Sequence, residues 1–207
     1  MNILQLTLDW SEVWALLIPL FVLLINTKQP AIFKPVVWYV IIAFIINLGG
    51  NIIADYKTEL HLPEWLQRNV FLYNLHSILR YACFTWFFLL IKVPFVVRIN
   101  RYISIFLLLF IIINFSLFEE FNSGEHISGK LLTIEAFVLL IYCIAYYLNI
   151  MGEEQQSEKY SGEFWIVTGL SSYVVINFFV FLFYESMIKS SMKLADRMWD
   201  IHNVAYI

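Results

Sequence analysis

Apolar runs matched to the thickness of a bilayer constrain this chain more than any motif in it. A hydrocarbon layer of ~30 Å takes roughly 17 to 25 helical residues to cross, and only elements that satisfy their own backbone hydrogen bonds can do so. Six segments qualify: residues 10–26, 36–54, 69–91, 102–118, 131–151 and 164–184. Residues 198–207 turn apolar again but are too few to span. They are expected to start a seventh helix; the other reading is a short helix lying in the interface. The chain therefore reads as all-α, a single integral membrane domain over residues 1–207. Its fold class is a polytopic transmembrane helical bundle of six complete spanning helices plus the start of a seventh.

Composition points the same way. Charged residues make up 14% of the 207, against roughly 25% in soluble domains. Aromatics reach 18%, a content suited to interfacial anchoring and foreign to disorder. The net charge is -3 and no basic cluster exists, so nothing neutralises phosphates and no nucleic-acid partner is expected. Cys83 and Cys143 lie in apolar runs without C-x-x-C spacing and read as small buried hydrophobes. The first basic residue is Lys28, after the first apolar run. That run lacks the flank of a cleaved signal and is expected to remain. The longest polar stretch, residues 152–163, reads as a loop.

Lys and Arg near the segment ends set orientation. Lys28, Lys34, Lys92, Arg98, Arg101 and Lys159 follow the first, third and fifth segments, whereas Lys57, Arg68 and Lys130 follow the second and fourth. Lys189, Lys193 and Arg197 after the sixth bring the two sides level, so the early bias decides and the N-terminus is expected outside.

With orientation alternating, polar residues can be compared by depth. Tyr73, Asn74, His76 and Arg80 occupy the outer half of the third segment, His76 and Arg80 sharing a face at i, i+4. Glu135 lies near the outer end of the fifth. Asn47 and Asn51 on the second, and Tyr173 and Asn177 on the sixth, reach the same half from the opposite direction. Asp200, His202 and Asn203 open the final segment there, and Asp9 and Glu12 stand at the outer end of the first. The fourth segment and the inner halves stay aliphatic and aromatic. This one-sided gathering predicts an outward-opening polar cavity. A charge at mid-bilayer costs ~2.5 kcal/mol or more, so Arg80 must pair, and Glu135 is the acidic residue at matching depth. An Arg80–Glu135 contact follows. The competing reading is that these side chains are interhelical glue, worth ~0.6 to 2 kcal/mol each.

Catalytic patterns are missing: there is no H-E-x-x-H, no G-x-S-x-G and no Gly-rich phosphate loop. Gly49 and Gly50 read as close helix packing or a flexible point. His76 and His202 reach similar depth, but no second pair or ligand motif accompanies them, so neither haem nor another cofactor is expected, and no metal. Arg197 and His202 stand at an R-x4-H spacing resembling one class of ribonuclease domains. That would make the chain a membrane accessory of a bacterial defence system, but the pair faces outward, away from RNA. A microbial rhodopsin would need a lysine deep in the last helix, and none is present.

Leu72-Tyr73-Asn74, Phe164-Trp165-Ile166 with Gly169-Leu170 and Asn177-Phe178, and Trp199-x-x-His202-Asn203 resemble a loosely defined, uncharacterised family of seven-helix membrane proteins from Bacteroidetes-type bacteria. The resemblance covers most of the chain through short, degenerate motifs. It implies an inner (cytoplasmic) membrane location, continuation of the seventh helix, no enzymatic activity, and a membrane signalling partner such as a histidine kinase. The family pattern carries a carboxylate near the position of Arg80, so this chain departs from it by reversing the charge.

The function expected is that of a non-enzymatic sensory or accessory protein binding a small ligand or proton in the outer half. Its candidate residues are Asn47, Asn51, Tyr73, Asn74, His76, Arg80, Glu135, Tyr173, Asn177, His202 and Asn203. The rival is a small-solute transporter. It needs a path through the inner half, where the fifth segment offers chiefly Tyr142, Tyr146 and Asn149.

Overall fold

The computed structural model describes residues 3–59, 61, 63, 69–121, 127–152 and 161–206, and the regular elements among them are all helical. They are α1 (Ile3–Asp9), α2 (Ser11–Ile25), α3 (Lys34–Tyr56), α4 (Val70–Leu90), α5 (Pro94–Ile113), α6 (Gly129–Gly152), α7 (Gly162–Ser190) and α8 (Met192–Tyr206). A 3-10 turn, Ala31–Phe33, leads into α3, and a π-helical turn, Asn114–Phe118, prolongs α5. Four stretches are long and apolar enough to cross a membrane: Ala31–Tyr56, Pro94–Phe118, Gly129–Gly152 and Gly162–Tyr184. The chain is a membrane-embedded helical protein. Arg68, Lys159, residues 153–160 of the expected loop and Ile207 lie outside the described residues.

α2 and α4 match the apolar runs to within one residue at each end, and the other helices are longer than theirs. α5 begins at Pro94 rather than residue 102, so Arg98 and Arg101 are helical. Proline suits a first helical turn, and long Arg side chains reach water from a membrane helix end. α7 continues past Tyr184 to Ser190, and α8 begins at Met192 rather than residue 198. Asp200, His202 and Asn203 thus lie inside α8, beyond its second turn, and do not open it. Backbone hydrogen bonding carries a helix through polar residues that a hydropathy criterion stops at. α1 is an element the apolar pattern does not contain; the Trp14 indole donates to the Thr7 carbonyl at 3.0 Å across the break.

Packing closes α2, α3, α4, α6, α7 and α8 into a ring, each touching its neighbours and α8 returning to α2. α5 stands outside and packs on α4 and α6. Burial follows this arrangement: 56% of the apolar stretch of α6 is buried, but only 11% of that of α5. Outward-facing side chains such as Leu17, Phe21, Trp38, Phe106 and Leu109 are large and apolar, as acyl chains require. The expectation that glycines bring helices close is not met. Gly49 faces open space, and a Cβ on Gly50 would meet the Tyr73 hydroxyl at 3.7 Å, an ordinary contact.

Candidate functional site

Every helix of the ring contributes a polar or aromatic side chain to its interior near the Glu12 end, and α5, outside the ring, contributes none. The centre is the expected contact of Arg80 on α4 with Glu135 on α6. Arg80 Nε donates to Glu135 Oε1 at 2.6 Å and Nη2 to Oε2 at 2.6 Å, a bidentate geometry that fixes both planes. Ser77, one turn before Arg80 on the same face, donates to Oε2 at 2.5 Å. Arg80 Nη1 donates to the Tyr173 hydroxyl on α7 at 2.5 Å, and the guanidinium carbon stands 5.0 Å from that ring's centroid. Arg80 is 4% exposed and Glu135 1%, so the two charges cancel inside the bundle and hold α4, α6 and α7 in one register.

A second cluster joins α2, α7 and α8. His202 Nε2 lies 2.9 Å from Glu12 Oε1, and His202 Nδ1 contacts Asn177 Oδ1. Asn177 Nδ2 in turn donates to the Tyr173 carbonyl at 2.9 Å. The imidazole is boxed by Trp199, Phe181, Tyr173 and Tyr206, with ring centroids 4.9 to 6.4 Å away. Between the two clusters lie Tyr73, edge-on to Trp199, and His76, stacked on Tyr39 at 5.8 Å. His76 Nε2 is buried without a protein partner.

The remaining expected residues go elsewhere. Asn47 donates to the Tyr206 hydroxyl at 3.3 Å and Asn51 to the Asp9 carbonyl at 3.3 Å, which makes both of them ties from α3 to its neighbours. Asn203 is buried on α8, its Nδ2 without a partner. Asn74 turns from the cluster, donating to the Phe121 carbonyl and accepting from the Ser128 amide, and so fixes the start of α6. Near it, Asn114 donates to Glu119 at 2.8 Å and Lys130 pairs with Glu119 at 3.1 Å. Burial pushes the Glu119 carboxyl up, but the hydrogen bonds from Ser128 and Asn114 and the Lys130 ammonium outweigh it and hold the group below the usual carboxylate range.

The outward-opening cavity expected here is filled. The space among Glu12, Tyr73, His76, Arg80, Trp199 and His202 measures about 10 Å³, room for about one water. A cleft of about 410 Å³ lies on the far side of Arg80. Leu16, Phe84 and Tyr206 on its wall stand one turn beyond Glu12, Arg80 and His202, and Tyr39, Ser172 and Tyr173 add hydroxyls. Glu12, Tyr39, Ser77, Trp199 and Tyr206 belong to the site in addition to the expected residues. Ser77 and Tyr206 were signalled by i+3 and i+4 spacing to Arg80 and His202; Glu12 only by its depth. On the inner side, Tyr142 is tied to Asn100, donating at 3.0 Å. Both nitrogens of His202 are engaged, by Asn177 and by Glu12, and no hydrogen bond between His202 and Arg197 occurs among the described residues. Comparisons with protein-family models, curated proteins and solved structures find no match for the chain.

Proposed function

We propose that the chain is a non-enzymatic, multi-pass protein of a bacterial inner membrane, with six complete spanning helices, a seventh begun by α8, and the N-terminus outside. It serves as a sensory or accessory component to a signalling partner in the same membrane, and the polar cluster near Glu12 is where a small polar ligand or a proton acts. One observation carries this reading: the buried acidic, arginine and histidine side chains among the described residues, Glu12, His76, Arg80, Glu135 and His202, come from four ring helices and converge at one end of the bundle. Intramembrane ionisable residues are costly and usually functional. Their convergence lets a single binding event bias several helix contacts together. The test is to reconstitute the protein with a membrane histidine kinase from the same source and titrate pH and small polar solutes. Kinase output that ignores every condition, and is unchanged by omission of this chain, defeats the reading. Reporter fusions after Asn26, Ile91 and Met151 should all report cytoplasm.

The transporter reading draws on a different observation, the cleft of about 410 Å³ that shares Arg80 as a wall with the cluster. A buried charge pair beside a cleft is a position where a solute site of an alternating-access protein can sit. Saturable solute flux in proteoliposomes supports it, and flux at the level of empty liposomes removes it.

A further inference from the structure

The hydrogen bonds around His202 fix how many protons it carries. Asn177 Nδ2 donates to the Tyr173 carbonyl, an acceptor that cannot donate, so Asn177 must present its oxygen to His202. His202 Nδ1 is therefore an N–H donor. On the other side, Nε2 faces Glu12 Oε1 at 2.9 Å, and a contact between them needs one further proton, on the imidazole or on the carboxyl. Either placement leaves the pair neutral. Since Arg80 and Glu135 cancel each other, the whole cluster is then neutral too.

We propose that Glu12 and His202 form a binding site for a single proton, and that this proton ties α8 to α2 and α7 at once. When it leaves to water, a carboxylate and a bare Nε2 face each other as two acceptors. Shifting the remaining proton from Nδ1 to Nε2 restores the bond to Glu12 but breaks the one to Asn177. Either way one of the two ties is lost and a net negative charge is left buried, which the helices relieve by parting. The inference deepens the reading above by naming the ligand, and rests on it only for coupling to a partner.

The surroundings suit proton binding better than a larger ligand. The adjoining space holds about one water, and His76 Nε2, 96% buried by residue and without a protein partner, borders it. The space places room for a water against both Glu12 and His202, where it would take up or deliver the proton. The titratable and charged groups that face the pair are Tyr73, His76 and Arg80 on α4, Tyr173 on α7 and Tyr206 on α8; one contact further out stand Glu135 on α6 against Arg80, Tyr39 on α3 against His76 and Tyr184 on α7 against Trp199, while Asp9 on α1 and Asp200 on α8 are near the pair in sequence. Arg80 is held bidentately by Glu135, so it is not free to replace the proton as Glu12's counter-charge.

The experiment measures distances between spin labels at the exposed positions Leu17 on α2, Phe179 on α7 and Val204 on α8, with the protein in nanodiscs and Cys83 and Cys143 replaced by Ala. In the otherwise unmutated chain, either the α2–α8 or the α7–α8 distance should change in a one-proton step as pH is varied. Glu12→Gln should abolish the step and keep both distances closed, because the Gln amide donates to Nε2 and does not ionise. No step in either distance, or an unchanged step in Glu12→Gln, overturns the proposal. Should that variant not fold, infrared difference spectra of the unmutated chain decide: a carboxyl or imidazolium band must change with the step, and its absence is equally fatal. A step that kinase output does not follow would sink the sensory reading and leave the proton site standing.

Discussion

The two ends of the helix ring are joined by different physics. At the Glu12 end, Arg80, Glu135, Tyr173, Asn177 and His202 meet through short directional bonds. At the other, Phe87, Phe88, Val96, Leu139 and Tyr142 are almost wholly buried and meet through packed rings and methyl groups, Phe88 and Tyr142 edge to face at 5.6 Å. Within a bilayer, lipid tails are as apolar as leucine, so helix association draws on packing and on interhelical hydrogen bonds. Packing tolerates small slides of one helix on another. Bidentate pairs do not, so the polar end fixes register while the aromatic end supplies contact area.

The largest expected effect tests that division directly. Arg80→Ala and Glu135→Ala should each cost about 3 to 5 kcal/mol, because each strands a buried charge, while an apolar double replacement should recover much of the loss. Chemical unfolding in lipid nanodiscs measures it, and a double mutant whose loss is the sum of the two singles would dissolve the distinction between the ends, since touching groups couple by about 0.5 to 3 kcal/mol. The same double mutant separates roles: stable and active means scaffold, stable and inactive means working site. At the aromatic end, Phe88→Ala should cost about 3 kcal/mol through lost contacts and a cavity, and should leave any pH response of α8 unmoved.

Smaller effects sharpen the contrast. Lys92 ends α4 with φ of 56°, a conformation costing a non-glycine residue about 1 kcal/mol. Lys92→Gly should therefore raise stability by about that amount with no change in the α8 distances. Smallest is the effect of Glu119. Its carboxyl is held below the usual range, so its contribution is present above the unfolded carboxylate value of about 4. It should fade as pH falls through the lower folded value. Glu119→Gln should flatten that acid limb slightly, read as midpoint against pH, because the pair is partly solvated and screened.

Depth along each segment was legible without coordinates, because helix periodicity and alternating direction fix it, and that sufficed for the Arg80–Glu135 contact and for the apolar character of α5. Helix limits were less legible, since hydropathy marks where lipid contact ends and not where backbone hydrogen bonding does; Arg98, Arg101 and Met192 all lie beyond it. Which polar residues point together was not in the sequence. Asn74 shares the depth of His76 yet serves the start of α6, and Glu12 at a segment mouth closes on His202, separated by 190 positions. Hydropathy and composition alone establish a membrane-embedded helical chain, and residue depth alone brings Arg80 and Glu135 together, because a charge in the hydrocarbon layer must be paired. That the space between Glu12, His76 and His202 is filled, and that the open cleft lies on the far side of Arg80, follows from tertiary packing alone, because rotation of each helix about its axis is set by neighbours that a linear pattern does not name.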